Sequence, residues 1–356
     1  MFKLNNKLDA FGIDFSDRSI KVAQIKKNNN KLQLYAYGRE NISRGLIVDG
    51  EIKKPEEVVK LIKKILSTSK INPIKSKFAI YSIPEPKGFI RIMEIKKVAE
   101  KDIENVVRYE AQQLFPIDIE EAYLDWQVLS DGNNKKETIK VLVAAVPQQL
   151  VDSYSAVLKD AGLKPVVAEI ESIAITRSLI NKNQTTRPIL VIDLGRDRTS
   201  FIIFKNLAVQ FTASIPVCGE EIIKAVSAKM SISEEESEKI IKECGLIFKD
   251  DCKNVYRAIQ PSLYEMIRYI SKLINFYKEH YKSESDIAKV IICGGEAKIP
   301  GMSSFLSLRV KKEVEKGNPW INIFSSDKKE TPPISEDDSM IFVTVLGLAL
   351  RGAEED

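Results

Sequence analysis

The chain has 356 residues, of which 44% are hydrophobic and 29% are charged, and its formal net charge is +4 at neutral pH. This length allows two domains with separate cores, and the scattered lysines predict no nucleic-acid surface. No run of about 18 apolar residues occurs, so we expect no membrane span, and the N-terminus lacks the apolar segment of a signal peptide, which predicts a cytoplasmic protein. No C-x-x-C spacing occurs, so we expect reduced thiols rather than disulfides or a zinc site at Cys218, Cys244, Cys252 and Cys293.

The first part of the chain predicts an α/β layer that begins with a hairpin. Residues 11–25 contain an apolar strand that ends at Asp14, a short polar loop, and a second strand that carries Lys21. The other elements of this layer are predicted as strand 31–37, helix 55–66 and strand 78–83.

The next stretch predicts a small module inserted into this layer. Its elements are expected as strand 89–95, helix 102–115, strand 123–129, turn 131–134 and strand 140–146. Because the last strand is continuously apolar, we expect it to re-enter the main sheet. The insert is therefore predicted to span residues 85–140.

A second hairpin follows about half the chain further on. Residues 189–192 are all apolar, which predicts a strand buried on both faces, and Asp193 lies at its carboxyl end, where α/β folds place ligands. The loop after it carries Gly195 and Thr199, and its backbone N–H groups suit a phosphate. Because the two hairpins are alike, we expect two similar lobes that each aim a hairpin at one cleft. For either loop taken alone, an ordinary surface turn is the alternative.

Helices are predicted after the second hairpin. Ser233-x-x-Glu236 is a capping box that begins a helix over 234–244, and Gly245 suits its C-terminal cap. The apolar spacing of 261–281 predicts a long helix that faces the core, with a coiled-coil seam as the alternative.

A glycine pair after a strand and an apolar C-terminal segment are the informative features near the end of the chain. A strand over 290–293 runs into Gly294 and Gly295, which would let a flat ring or a ribose approach the backbone closely. Residues 340–350 predict an apolar helix that is too short to span a membrane, and we expect it to dock on the first lobe.

The two hairpins resemble the phosphate loops of the actin-like ATPase superfamily. Asp193-x-Gly195-x-x-x-Thr199 is similar to its second loop, and Asp14 with Lys21 is similar to its first. The resemblance implies an actin-like ATPase fold, an α/β architecture of two lobes around a nucleotide cleft with a small inserted α/β subdomain in the first lobe. It also implies ATP and Mg²⁺ as cofactors, with the metal at Asp14 and Asp193. The residues that it implies in nucleotide binding are Asp14, Ser16, Ser19, Lys21, Asp193, Gly195, Thr199, Glu238, Gly294 and Gly295.

Two acidic residues carry more specific expectations. Glu171 follows a strand over 165–170 and begins a helix. In the superfamily the residue at this helix orients the metal's water or the attacking water, so Glu171 is the catalytic candidate, although a carboxylate at a helix N-terminus is ordinarily a dipole partner. Glu238 matches the glutamate of an Ala-Glu-x-x-Lys pattern whose glutamate and lysine reach the ribose in relatives, but the lysine here, Lys242, is displaced by one residue.

Segments along nearly the whole chain resemble the PilM family of type IV pilus assembly proteins. They are residues 110–117, 123–128, 143–147, 160–165, 168–174 and 345–352. The resemblance implies a cytoplasmic ATP-binding scaffold held at the inner membrane through its partner. The insert would bind the N-terminal peptide of a PilN-like inner-membrane protein. Contacts with other pilus machine components and self-association are further expectations.

The domain limits are predicted from these patterns together. The first lobe takes residues 1–84 with 141–186 and a C-terminal helix at 340–352, the insert takes 85–140, and the second lobe takes 187–339 with a helical subdomain at 216–285. We expect at most slow ATP hydrolysis, because Ser16 places a Cβ in a tight turn and Asp17 and Asp197 bring negative charge into the loops. Two alternatives stay open: an FtsA-like filament-forming division protein, and a small-molecule kinase of the same superfamily.

Overall fold

The computed structural model describes residues 9–29, 31–129, 137–181, 187–217, 219–280, 286–324 and 331–353. Cys218 and the turn predicted at 131–134 lie outside these residues. Two five-stranded sheets and one three-stranded sheet form the framework. Within the described ranges, no helix is long and apolar enough to cross a membrane.

The first lobe begins as predicted, with a hairpin in the middle of its sheet. The elements are β1 (Phe11–Phe15), β2 (Ser19–Asn28), β3 (Lys31–Asn41), a small hairpin of β4 (Ile47–Val48) and β5 (Glu51–Ile52), α1 (Pro55–Thr68) and β6 (Phe78–Ile83). β1 pairs antiparallel with β2 and parallel with β6. Helix α1 buries Val58, Ile62 and Ile65, so its apolar face covers the sheet.

The insert forms a sheet of its own. Its elements are β7 (Phe89–Lys96), α2 (Ile103–Leu114), β8 (Ala122–Leu129) and β9 (Thr138–Pro147), and the strand order is β7-β9-β8. The prediction that 140–146 re-enters the main sheet is therefore wrong. This strand is apolar throughout because both of its faces are covered: Val141 and Val143 pack in the core beneath α2, while Leu142 and Ala144 pack against the core of the first lobe.

The chain then completes the first sheet. Its next elements are α3 (Gln148–Asp160), β10 (Lys164–Ile170) and α4 (Glu171–Leu179). β10 pairs parallel with β6, which gives the order β10-β6-β1-β2-β3. Helix α4 begins at Glu171 itself, two residues before the apolar stretch in the sequence.

The second lobe repeats this sheet. Its elements are β11 (Ile189–Leu194), β12 (Thr199–Lys205), β13 (Ala208–Ile215), α5 (Gly219–Met230), α6 (Glu234–Cys244), α7 (Lys253–His280), β14 (Lys289–Cys293), α8 (Met302–Val310) and β15 (Val314–Lys316). The order is β13-β12-β11-β14-β15, with β11 antiparallel to β12 and parallel to β14. The central hairpin thus occupies the same place in both sheets, as the similarity of the two hairpins predicted.

Helix α6 begins with the predicted capping box, in which Ser233 and Glu236 exchange hydrogen bonds. Helix α7 begins at Lys253 rather than at the predicted Pro261, because the buried stripe continues through the proline. The core-facing interpretation of this helix is confirmed, since its apolar residues pack in the core of the second lobe.

Cys244 and Cys252 form a disulfide, with Cα atoms 5.2 Å apart. The prediction of reduced thiols is wrong for this pair. The end of α6 and a short 3₁₀ turn before α7 bring the two residues together, which their spacing in the sequence does not reveal.

The C-terminus returns to the first lobe as predicted. After α9 (Glu336–Ser339), helix α10 (Val343–Ala353) packs on α4, β1 and β2. Gly347 permits this packing, because a Cβ there would lie 1.9 Å from the carbonyl oxygen of Ala174. The buried Glu169 forms ion pairs with Arg177 of α4 and Arg351 of α10, which fixes both helices to β10.

Candidate functional site

A cavity of about 800 Å³ lies between the two lobes, at the loops of the two central hairpins. Nearly all the residues predicted to bind a nucleotide line it, together with the catalytic candidate Glu171. They are Asp14, Ser16, Ser19, Lys21, Asp193, Gly195, Glu238, Gly294 and Gly295. Thr199 is the exception, because its buried hydroxyl donates a hydrogen bond of 2.6 Å to the carbonyl oxygen of Val217 and the residue does not line the cavity.

In the first hairpin, Asp14 is buried and both of its carboxylate oxygens have partners. The Lys21 ammonium donates to one oxygen at 2.8 Å, and the Ser82 hydroxyl donates to the other at 2.9 Å. The Ser82 hydroxyl also accepts a hydrogen bond from the backbone N–H of Phe15. Asp14 and Lys21 therefore reach the cavity as an ion pair whose orientation is fixed by β6.

The turn between β1 and β2 accepts the Cβ of Ser16 without difficulty. The Ser16 hydroxyl donates to the carbonyl oxygen of Ser19 and accepts from the backbone N–H of Ser19, so it helps to close the turn. Asp17 accepts hydrogen bonds from the N–H groups of Asp49 and Gly50 and does not line the cavity. Ser16, whose Cβ was expected to disfavour a tight turn, therefore stabilises this turn through its hydroxyl group.

The loop of the second hairpin is also closed tightly. The Gly195 N–H donates to the carbonyl oxygen of Arg198 at 3.0 Å, and a Cβ on Gly195 would lie 2.7 Å from that oxygen. Asp193 packs against Gly294, because a Cβ on Gly294 would lie 2.4 Å from the Oδ1 atom of Asp193. Burial raises the pKa of Asp193, the Lys21 charge opposes this shift, and the negative charge of Asp14 adds to it. The two hairpin carboxylates therefore interact across the cleft.

Glu171 lies at the N-terminus of α4 and faces the same end of the cavity. Its Oε2 accepts a hydrogen bond of 3.0 Å from the backbone N–H of Glu85. Burial, together with the negative charges of Asp14 and Asp193, raises the pKa of Glu171 to about 8, while the positive charge of Arg198 and the Glu85 N–H oppose this shift. A carboxyl group with such a pKa can both hold and release a proton near neutral pH.

Arginines that the sequence motifs did not single out complete the loop end of the cavity. Arg198 lines it and interacts electrostatically with Glu171 and Asp193. Arg18 of the first lobe bridges the cleft, with ion pairs of 2.9 Å to Asp197 and 3.3 Å to Glu220 of the second lobe. The loop aspartate Asp197 is thus paired, so it does not leave uncompensated negative charge in the loop. The sequence indicates these cations only through arginines beside the loop aspartates, as Asp17-Arg18 in the first loop and Arg196-Asp197-Arg198 in the second.

A further part of the cavity lining suits a ring and a sugar. Glu238 of α6 pairs with Lys242 at 3.4 Å and with Arg196 at 3.5 Å. Lys242 lines the cavity although it is displaced from the expected position, because residues four apart lie on the same helix face. The cavity lining also contains apolar side chains, namely Ile223, Ile241, Ile299, Met340 and Ile341.

The described residues contain no group of three or more His, Cys, Asp or Glu side chains placed to hold a metal ion. The two carboxylates predicted as metal ligands, Asp14 and Asp193, come one from each lobe. The cleft therefore combines acidic groups from both lobes with the loop arginines and apolar side chains, a composition that suits a nucleotide with its counter-ion.

Comparison with known proteins places this geometry in context. The sequence profile of the family described as "Type IV pilus assembly protein PilM" matches residues 12–353. The cell division protein FtsA of Streptococcus pneumoniae is 21% identical over 327 residues, covering 82% of this chain and 71% of that protein.

Two solved structures show the same fold. A structure described as the "PilM-PilN type IV pilus biogenesis complex" matches with a TM-score of 0.82 at 22% identity, over 98% of this chain and 100% of that one. MreB5 of Spiroplasma citri, bound to AMPPNP, matches with a TM-score of 0.54 at 14% identity, over 97% and 96% of the two chains. The predicted actin-like ATPase fold, with two α/β lobes around a cleft, is confirmed.

Proposed function

Since the chain belongs to the PilM family of type IV pilus assembly proteins, we propose that it is an ATP-binding scaffold of such an assembly machine and that it binds the N-terminal peptide of a PilN-like inner-membrane protein. One observation carries the proposal: two similar hairpins bring Asp14, Lys21 and Asp193 together in one cleft. The partner half of the proposal rests on the family and on an apolar groove beside the insert.

The cleft fits Mg-ATP through the chemistry of its donors. Magnesium is usually held by one or two carboxylates together with phosphate oxygens and water, and Asp14 and Asp193 supply that number. Bound magnesium would neutralise part of the phosphate charge. Lys21 and Arg198 would bind phosphate oxygens, and Glu238 with Lys242 would bind the ribose. The apolar side chains of the cavity lining would cover the base.

Hydrolysis, if it occurs, would depend on Glu171. This carboxyl group lines the cavity next to both hairpin carboxylates and is held by the Glu85 N–H. We propose that it orients the attacking water. The pKa of about 8 means that at neutral pH only a fraction of the molecules have an ionised Glu171 able to accept a proton, which supports slow turnover.

The peptide site is proposed in a groove of about 340 Å³ between the insert and α4. The insert contributes Leu142 and Ala144, α4 contributes Ile173, and Ile180 follows directly after this helix. The second lobe contributes the turn between β12 and β13, where Leu207 adopts a φ of 62° and is 63% exposed. A groove with apolar walls suits an extended peptide that binds through a few apolar anchors.

One experiment tests both halves of this proposal. A fluorescently labelled peptide from the N-terminus of the PilN-like partner is titrated with wild-type protein and with Ala144→Arg, in which the new side chain fills the groove. Tyr109→Arg is the matched control, because Tyr109 is 67% exposed on α2, on the other side of the insert sheet. We expect Ala144→Arg to weaken peptide binding at least tenfold and to leave Mg-ATP binding within twofold. Equal peptide affinity in all three proteins would exclude the groove.

A further inference from the structure

The segment 84–88, here called the insert root, is the point at which the chain leaves the first sheet and enters the insert. It contains a 3₁₀ turn, Glu85–Lys87, between β6 and β7. Besides the insert, this segment contacts two parts of the first lobe that adjoin the nucleotide cleft.

The first part contains the catalytic candidate. The backbone N–H of Glu85 donates to Oε2 of Glu171, and the backbone N–H of Ser172 donates to Oε2 of Glu85 at 3.1 Å. Two hydrogen bonds therefore link the insert root to the start of α4, and in each a glutamate carboxylate accepts from a backbone N–H of the other segment. Gly88 adds close packing, since a Cβ there would lie 2.6 Å from the Cδ1 atom of Ile170, which directly precedes Glu171.

The second part is the first phosphate hairpin. Pro84 packs on Gly50, where a Cβ would lie 2.7 Å from the proline ring. The Gly50 N–H donates to Asp17 at 3.0 Å, and Asp17 lies in the turn between β1 and β2. A displacement of the insert root would therefore shift both Glu171 and the turn between β1 and β2.

Glu85 itself is unusual for a buried residue. Its side chain is 4% exposed, and its Oε1 atom has no hydrogen-bond partner among the described residues. Burial raises its pKa, and the neighbouring Thr212 and Ser172 side chains oppose this shift. Thr212 belongs to β13 of the second lobe. A partly satisfied buried carboxyl between three elements is costly, and such a cost is retained where the residue has a role beyond packing.

We propose that the insert root is the relay between the partner-binding insert and the nucleotide cleft, and that Glu85 is the positioning residue that transmits insert movement to Glu171. This inference rests on the proposed function, because it requires that the cleft binds Mg-ATP and that the groove binds a peptide. Each ligand would then change the affinity of the other by the same factor.

The test compares coupling with simple binding. Peptide affinity is measured with and without saturating Mg-ATP in wild-type protein, in Glu85→Ala and in Glu85→Gln. In the wild type we expect about a fivefold change in peptide affinity on adding Mg-ATP. In Glu85→Ala we expect each ligand alone to bind within twofold of wild type, while the coupling disappears. Glu85→Gln keeps an acceptor for the Ser172 N–H and should retain the coupling.

Two further variants keep the test decisive. Glu94→Ala removes an exposed glutamate from β7 of the same insert and should leave the coupling unchanged. If Glu85→Ala does not fold, Gly88→Ala replaces it, because its Cβ would push the insert root away from Ile170 and should reduce the coupling at least twofold.

The outcomes separate this inference from the proposed function. Coupling of wild-type size in Glu85→Ala, or in Gly88→Ala where that variant is used, overturns the relay and leaves the proposed function intact. Wild-type protein that binds both ligands without coupling also overturns the relay and leaves the proposed function intact. Wild-type protein that fails to bind Mg-ATP or the peptide refutes the proposed function and the relay together.

Discussion

Replacing Glu171 with glutamine should remove a pH-dependent loss of stability that originates in the cleft. In the folded protein burial, together with Asp14 and Asp193, raises the pKa of Glu171 from 4.5 to about 8. Between these two values the unfolded chain has already lost the proton that the folded protein still binds. The free energy of unfolding of the wild type should therefore fall as the pH rises through this window.

The size of the effect follows from the width of the window. Each unit of pKa difference corresponds to about 1.4 kcal/mol, so the full window would amount to ~5 kcal/mol. Because the Glu171 side chain opens into the cavity, solvent reduces this value, and we expect a loss of about 2–4 kcal/mol. Glutamine has nearly the same shape as protonated glutamic acid, and its side chain does not titrate between pH 5 and pH 9.

The assay is urea unfolding of the wild type and of Glu171→Gln at pH 5, 6, 7, 8 and 9, without nucleotide. The variant should lie within about 1 kcal/mol of the wild type at pH 5 and become the more stable protein by about 2–4 kcal/mol at pH 9. Glu94→Gln, which changes an exposed glutamate, controls for the loss of a carboxylate as such. If the wild type and Glu171→Gln follow parallel curves over the whole range, the carboxyl group is not held in the environment that we describe.

Three further predictions concern turnover, the disulfide and the insert. Glu171→Ala should bind Mg-ATP within twofold of wild type and lower phosphate release at saturating ATP at least tenfold, whereas equal turnover would reduce the residue to a partner of the helix dipole. Reduction of the Cys244–Cys252 disulfide should lower the free energy of unfolding by about 2–3 kcal/mol, and the same reductant should not change a Cys244→Ser/Cys252→Ser double variant. Replacing residues 89–146, with β9 included because it belongs to the insert sheet, by a Gly-Ser linker should spare Mg-ATP binding and abolish peptide capture, and peptide binding that survives would place the partner site elsewhere.

The hairpins could be predicted from the sequence because their information is local. Each is an apolar strand that ends at an aspartate, followed by a polar turn, and the repetition of this pattern in both halves implied two equivalent lobes. Residues at the carboxyl ends of the strands, such as Asp14 and Asp193, and Gly294, which directly follows β14, therefore line the cavity as expected. The capping box of α6 is equally local and was correctly predicted.

The errors arise where contacts distant in sequence decide the outcome. The apolar run of β9 indicates burial on both faces, but the same pattern fits a main-sheet strand and an insert strand covered on two sides. Pro261 is a reasonable helix start until the buried stripe before it is considered as part of the same face. Thr199 follows the spacing of a phosphate loop, yet its hydroxyl donates a hydrogen bond to the carbonyl oxygen of Val217. This partner is brought to Thr199 by the packing of the chain after β13.

Calorimetric titration of Mg-ATP into wild-type protein and into Asp193→Ala tests the central claim most directly, namely that the two hairpins form a nucleotide site. Asp250→Ala, which removes an exposed aspartate of the second lobe, is the control. We expect binding to the wild type and to the control with the same affinity, and at least tenfold weaker binding to Asp193→Ala, about 1.4 kcal/mol. Unchanged affinity in Asp193→Ala, or no binding to the wild type, would contradict the assignment of the cleft.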